Sequence, residues 1–458
     1  MNFNNNPRYL SIRILSQNQQ RIEPVDIIMD RMLSRIDLID PRDSHLIMAL
    51  VYGVLRHQRY LDAVLSYYSR HPLSKMKEFT LQALRVGAFQ LLFMDRIPIS
   101  AAVNETVKAV RNAYQPKWLV SYVNGVLRAL SKDGYRPDLW GEDNWSLPVK
   151  LSHPDWFYER CLKHYGSKKT REICEYNNRQ PCLTLCLNLS AVSRERFIDI
   201  LASRDIRAIP GRYVQEAVII PGYSGRISGL PGYNLGWFMV QDEGAQMITR
   251  MLAPFQPGSY LDACAGVGGK TVQLNFLVPR ASRLSASEPN QKRFNLLKEN
   301  LQRMGLASVI NLYNISLQDL RRQTEARYNS ILIDAPCSGL GVIRRHPDIR
   351  WNFINGAIDL RNYQEIQSGL IEEAAGLLVD GGILVYATCS TEPEENEEVV
   401  ARFLDHNPQF KPECPELPES CGRLLDEQGF LRLIPGKYHD GFFAARLVKT
   451  RWESGSKP

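Results

Sequence analysis

Four stretches within the first 130 positions, PVDIIMDRMLSRI, HLIMALVYGVLRHQRYLDAVLSYY, FTLQALRVGAFQLLFM and WLVSYVNGVLRAL, repeat apolar residues at three- and four-residue steps. That period puts the apolar side chains on one side of a helix and predicts an all-α bundle from Pro7 to about Leu130. The breaks between them are short and carry Pro, Asp or Ser. DGYRPDLWGEDN, at 133–144, is polar and rich in Gly, Pro and Asp, and predicts a linker. A mixed segment follows. DWFYERCLKHYG and SRERFIDILASR keep the helical period, whereas PCLTLCLNLS and EAVIIPG read as strands, so a small α+β unit is expected over 145–235. From Trp237 onward the pattern changes. SYLDACAGVGGKT, RLSASEP, SVINLYN, YNSILIDAPCSG and GILVYATCS are apolar runs that end in turn residues, mostly separated by amphipathic helices such as QKRFNLLKENLQRMG. This alternation predicts a doubly wound α/β sheet over 236–450. FLRLIPGKYHDGFFAARLVK reads as two strands closing one edge of it.

Composition narrows the class. The chain has 458 residues, too many for one ordinary domain, and 44% of them are apolar, enough for several cores. No apolar run is long enough to span a membrane, and MNFNNNPRYLSIRIL lacks the apolar centre of a signal peptide. Nine cysteines at irregular spacing, with no CxxC and no HxxxH, predict neither a zinc framework nor a disulfide ladder. Reduced thiols in a cytoplasm are expected. The net charge of +7 is unevenly placed: residues 1–140 hold 19 Lys and Arg against 12 Asp and Glu, and the remainder holds 37 of each sign. A basic excess confined to one arginine-rich segment favours a nucleic-acid partner over an ordinary solvated surface.

Three motifs carry chemistry. LDACAGVGGKT, 261–271, ends a strand in a glycine turn that opens a helix, where backbone amides can meet a ligand. A dinucleotide would want GxGxxG, which fails at its third glycine. A nucleoside triphosphate would want GxxxxGK[ST], and Cys264 stands where the leading glycine belongs. S-adenosylmethionine needs an acid at the end of the next strand for its ribose, and Glu288 in SASEP stands there. The second motif, DAPCSGLGVIRRHPDIRW, puts Asp334 and Cys337 at a strand end and follows them with Arg344, Arg345, His346 and Arg350, a loop suited to phosphate contacts. The third, ILVYATCSTEPEEN, runs a buried strand into Cys389. Thr391 and Glu394 read as a capping box with Pro393 in the first turn, so a helix dipole is expected to lower the Cys389 pKa. A buried, inert core cysteine is the alternative.

At these residues the chain resembles the RNA 5-methylcytosine methyltransferases of the Sun/NOL/NOP superfamily. The arginine-rich loop, GWFMVQDEGAQ and the helical N-terminus look closest to the bacterial RsmB (Sun, Fmu) branch. The resemblance implies a NusB-like helical RNA-binding domain at 1–132, an α+β RNA-binding or linking unit at 145–235 and a class I, Rossmann-like methyltransferase domain at 236–450. It implies S-adenosyl-L-methionine as cofactor, small-subunit 16S ribosomal RNA as substrate, and a cytoplasmic, monomeric protein with no metal. It further implies Cys389 as nucleophile, Cys337 in product release, Asp334 at the base, and cofactor contacts from Cys264, Ala265, Gly266, Val267, Gly268, Gly269, Lys270, Glu288, Asn314 and Asp334. The family's usual proline is replaced by Val267 and its usual acid by Asn314, whose amide can still bond adenine. The chemistry agrees: carbon 5 of cytosine is a poor nucleophile until a thiolate adds to carbon 6. The same chemistry on tRNA, or an RNA-binding antitermination-like factor with a vestigial catalytic fold, are the other readings.

Overall fold

The computed structural model describes residues 6–20, 23–36, 40–352, 359–417 and 419–450. The first five positions, on which part of the signal-peptide reading rests, lie outside them. The chain forms two compact units: Met1–Gln180 with Ile343–Ile358, and Pro181–Val342 with Asp359–Pro458. Among the described residues no helix is long and apolar enough to cross a membrane.

The first unit is helical. Its main helices are Pro7–Gln20, Val25–Leu33, Pro41–Tyr68, Glu78–Phe93, Ile99–Asn112, Lys117–Asp133 and Asp155–Asn177. Proline sits at or just before the start of several, where a missing N–H costs nothing, and the Asp40 side chain caps Pro41–Tyr68 by accepting from Arg42 N. Leu50, Val54, Leu61, Leu84, Val110, Val123 and Leu127 are fully buried or nearly so in one core. Two helices meet closely at Gly53, where a Cβ would stand 2.0 Å from the Phe89 ring, so only glycine fits. The expected linker is not loose. It forms the short helix Pro137–Trp140, and Trp140 is buried in the helical core with its Nε1–H donating to Tyr68 OH at 2.9 Å. One aromatic residue in a polar stretch is enough to dock it.

The second unit holds two sheets. In the smaller, β1 (Leu183–Leu187), β2 (Ile209–Pro210), β3 (Ala217–Ile220) and β4 (Phe238–Val240) pair antiparallel in the order β2-β3-β1-β4. Helix Arg194–Ala202 packs on it through Phe197 and Leu201, against Leu185, Leu187, Val218, Ile220 and Phe238. The sequence pattern puts β4 at the start of the catalytic segment; it pairs instead with β1, Leu185 opposite Val240, so the expected break at 235/236 falls inside this sheet.

The larger sheet contains β5 (Ser259–Asp262), β6 (Arg283–Ser287), β7 (Ile310–Tyr313), β8 (Tyr328–Asp334), β9 (Leu378–Thr388), β10 (Phe410–Pro412), β11 (Leu431–Leu433) and β12 (Phe442–Lys449). The order is β10-β12-β9-β8-β5-β6-β7, with β11 on β12. Strands β5 to β9 run parallel, while β12 runs antiparallel to β9. Ile331, Leu332 and Ile333 are all fully buried, as a central strand covered on both faces requires. Chain order reverses between β5 and β8, and in such sheets ligands bind outside the carboxyl ends of the strands at that point.

Candidate active site

The cofactor turn is built from its carboxylates outward. Asp262, at the end of β5, is completely buried and accepts from Thr271 Oγ1 at 2.6 Å; burial pushes its carboxyl up to about 6 against the pull of that bond. Asp262 thus ties the strand to helix Gly269–Leu277. Between them the chain turns through Gly266 (φ 56°) and Gly268 (φ 95°), left-handed conformations that favour glycine. A Cβ at Gly266 or Gly269 would meet nothing within 4 Å, so this stretch of backbone faces open space. Ala265 N bonds Ser287 O and Val267 O accepts from Asn300 Nδ2, each at 2.9 Å, which fixes the turn from both sides. Burial raises the Cys264 thiol, so this cysteine stays neutral within the turn.

Glu288 follows β6 directly. Its Oε2 accepts from Gly266 N at 3.0 Å and its Oε1 from Asn290 N at 2.7 Å. Asn314, just past β7, donates its amide to Glu288 O at 2.7 Å and to Pro289 O at 3.4 Å. Its donor end therefore supports the Glu288 turn. Open backbone, helix N-terminal amides and an adjoining carboxylate form a donor set that fits an adenosyl cofactor.

Lys270 and Asp334 bridge the reversal between β5 and β8, Nζ to Oδ2 at 2.6 Å. Burial alone would lower the lysine pKa, but the charge and hydrogen bond of Asp334 outweigh it and hold the ammonium, helped by Asp262 and Cys389. Lys270 therefore keeps a positive charge beside the Asp334 carboxylate.

The two thiols meet at the ends of β8 and β9. Cys337 Sγ and Cys389 Sγ are 2.9 Å apart, beyond the about 2.05 Å of a disulfide, and both cysteines are free. The hydrogen bond to Cys389, then burial, then the charges of Glu395 and Asp334 raise the Cys337 pKa well above the usual thiol range. Cys337 is thus the partner that keeps its proton. Backbone fixes the pair: Ala335 N bonds Ala387 O at 2.8 Å and Gly341 N bonds Cys389 O at 3.0 Å. A Cβ at Gly341 would stand 2.8 Å from that carbonyl and 2.3 Å from Gly441 O.

The region after Cys389 departs from expectation. Pro393–Glu395 is a single 3₁₀ turn and the α-helix is Glu397–His406. Thr391 is therefore not the N-cap of an α-helix. Thr388 Oγ1 bonds Asn396 Oδ1 at 2.6 Å and Asn396 Nδ2 bonds Ser390 O at 3.1 Å, which delays the helix. A helix dipole acts mainly within its first turn, and Glu397 is too far along the chain for that turn to hold Cys389. Sequence reasoning also passed over Glu395. It is fully buried beneath the thiols, yet in EPEEN it looks like one more solvated acid.

The basic loop needs a larger correction, because its residues belong to the helical unit. Arg350 is completely buried. Nη1 donates to Ser152 O at 3.1 Å and Asn178 Oδ1 at 2.8 Å, and Nη2 to Asn177 O at 3.1 Å. It closes the carboxyl end of helix Asp155–Asn177, where a cation is favoured, and burial pushes its pKa down to about 9. This guanidinium is not available to a phosphate. Trp351 joins the helical core and donates to Leu55 O at 2.8 Å. Arg344 is buried, and its carbonyl accepts from Arg56 at 3.0 Å. His346 lies 2.9 Å from Asp26. Arg345 and His346 remain partly exposed.

Comparison with known proteins agrees with this architecture. Residues 249–448 match the family described as 16S rRNA methyltransferase RsmB/F, residues 5–132 match the NusB family, and residues 153–224 match the ferredoxin-like domain of RsmF/B-like methyltransferases. A probable ribosomal RNA small subunit methyltransferase B of Synechocystis sp. is 32% identical, the alignment covering 96% of this chain and 99% of that protein. The ribosomal RNA small subunit methyltransferase B of Yersinia pestis is also 32% identical, with 97% and 99% covered. The crystal structure of PH0851 has the same fold, with a TM-score of 0.76 at 23% identity over 96% of this chain and 98% of that one.

Proposed function

Since the chain belongs to the RsmB/F family of S-adenosylmethionine-dependent methyltransferases, we propose that it forms 5-methylcytosine in small-subunit ribosomal RNA through a covalent bond between Cys389 and the base. The sulfur pair, 2.9 Å apart beside the Lys270–Asp334 bridge, carries this reading.

The glycine turn 264–270, Glu288 and Asn314 would hold the cofactor, which when bound supplies an electrophilic methyl group. The chain supplies the rest. The Cys389 sulfur, as thiolate, adds to carbon 6 of cytosine, and the electron pair of the 5,6 bond moves toward carbon 5, which becomes enamine-like. As N3 takes a proton from solvent the adduct stays neutral, and Asp334, fixed by Lys270, accepts hydrogen bonds from N4–H and the new N3–H and so holds the base in that form. After methylation, solvent water takes the carbon 5 proton, the 5,6 double bond returns as the Cys389 thiolate is expelled, and N3 gives its proton back to solvent. Cys337, which keeps its proton, donates a hydrogen bond to the leaving sulfur and so favours release. A base stacked in a duplex cannot reach either thiol, so the target is a cytosine that can leave its stack.

In the test, ribosomal RNA is incubated with cofactor and each cysteine variant, run on a denaturing gel, and mapped by bisulfite sequencing. Cys389→Ala should abolish both methylation and the protein–RNA adduct. Cys337→Ala should still attack and methylate but accumulate adduct. An adduct trapped by Cys389→Ala and absent in Cys337→Ala would exchange the roles. Methylation of tRNA in preference to ribosomal RNA would overturn the substrate.

A further inference from the structure

We propose that Glu395 is the positioning residue that sets the distance between the two thiols, an inference that rests on the covalent reading above. Its carboxylate is fully buried and accepts from both cysteine loops. Oε1 takes Ser338 N at 2.7 Å, and Oε2 takes the hydroxyls of Ser338 and Ser390. Ser338 follows Cys337 in the chain and Ser390 follows Cys389. Gln367, on helix Leu360–Leu377, adds a donor to Oε1 at 3.1 Å and donates to the carbonyl of Pro336, the residue before Cys337, at 3.0 Å. Tyr386, in β9, donates to the Glu395 carbonyl, which anchors the backbone beneath the site.

Four donors meet about four acceptor sites on a carboxylate, so the group is saturated. It has nothing left for a substrate and acts only through the loops it joins. An amide of the same shape would turn two of its own hydrogens toward groups that now donate to it. A carboxylate one methylene shorter would reach one loop and lose the other. Either change frees Cys337 and Cys389 to drift apart. Displacements of about 1 Å at reacting groups can cost on the order of a hundredfold in rate.

The test reads the sulfur geometry without RNA. Diamide takes one proton and one electron from each of two thiols, reducing its azo bond to a hydrazine as a disulfide forms. In the wild type it should couple Cys337 to Cys389 rapidly, as mapped by peptide mass. Glu395→Gln should slow that coupling and lower kcat by about tenfold or more, with the KM for RNA and the cofactor Kd unchanged. Ser338→Ala with Ser390→Ala should do the same, and adding Glu395→Gln to that pair should cost little more, since all three changes break one network. Glu395→Asp should leave the coupling slow. If Glu395→Gln fails to fold, Ser338→Ala alone removes one hydroxyl and should still slow the coupling. Wild-type coupling rates in these variants would overturn the proposal, as would a fall in cofactor affinity parallel to the fall in rate, which marks a merely structural acid. A wild-type protein that forms no RNA adduct would instead remove the covalent reading and leave the coupling result standing.

Discussion

At the scale of single residues the site is a set of charges held by backbone. Glu288 receives two backbone N–H groups, one of them from the glycine turn, and is proposed to meet the ribose of the cofactor. Glu288→Ala should weaken S-adenosylmethionine binding by about 1–3 kcal/mol, the scale for stranding polar partners; calorimetry giving unchanged affinity would remove it from the site. His346 and Asp26 make a second prediction. Burial alone would lower the histidine, but Asp26 raises it, with help from Asp348 and against Arg345. Burial alone would raise Asp26, but His346 and Tyr52 lower it. The histidine contribution is complete below its unfolded pKa of about 6.5 and fades as pH rises through the raised folded value. The aspartate contribution is present above about 3.9 and fades as pH falls. The pair therefore stabilises most between about pH 4 and 6.5. Asp26→Asn should lower Tm at pH 5.5 more than at pH 8.5, by only about 1–2 °C because the imidazole is half-exposed and screened. An equal loss at both pH values would show that the pair does not titrate as described. Cys337 and Cys389 could be picked out from motifs because each follows the end of a strand, and Lys270 because it opens the helix after the glycine turn. Arg350 could not, since its partners lie 172 and more positions away and its charge alone suggested a surface.

At the scale of elements, periodicity was a good guide where segments were long. The helices of the bundle and the strands from β5 to β9 follow the expected alternation. Short elements were harder, because three residues such as β4 carry no sign of which sheet they join. The α-helix after Cys389 starts later than expected for a related reason: Asn396, bonded to Thr388 and Ser390, holds the chain just before Glu397. Helix Asp155–Asn177 depends on a distant residue for its last carbonyl, Asn177 O. Arg350→Ala should destabilise the protein by about 2–4 kcal/mol, since several buried acceptors lose their donor together. It should leave the salt dependence of RNA binding unchanged, because this side chain touches no phosphate. A flatter salt slope without loss of Tm would return Arg350 to the RNA-binding surface.

For the whole molecule, the basic excess lies in the helical unit while the sheet unit carries the chemistry. Removing residues 1–130 would be a poor test of that division, since Arg350 and Trp351 would lose their burial. Alanine at the exposed Arg111, Lys117, Arg128 and Lys132 is cleaner. The salt slope of ribosomal RNA binding should fall by about 0.9 or less for each phosphate no longer neutralised, with cofactor affinity intact; an unchanged slope would give the basic surface another role. Residues 343–352 join the helical unit although they follow residue 180 by about 160 positions. Ribosomes add roughly 5–20 residues per second. For about 8–30 seconds of synthesis, on that rate, the emerging bundle therefore waits without Arg350 to close its helix and without Trp351 to fill its core. A chaperone that shields apolar surface has an opportunity on this chain in that interval, and a chain released by a ribosome stalled between those points would lack both side chains.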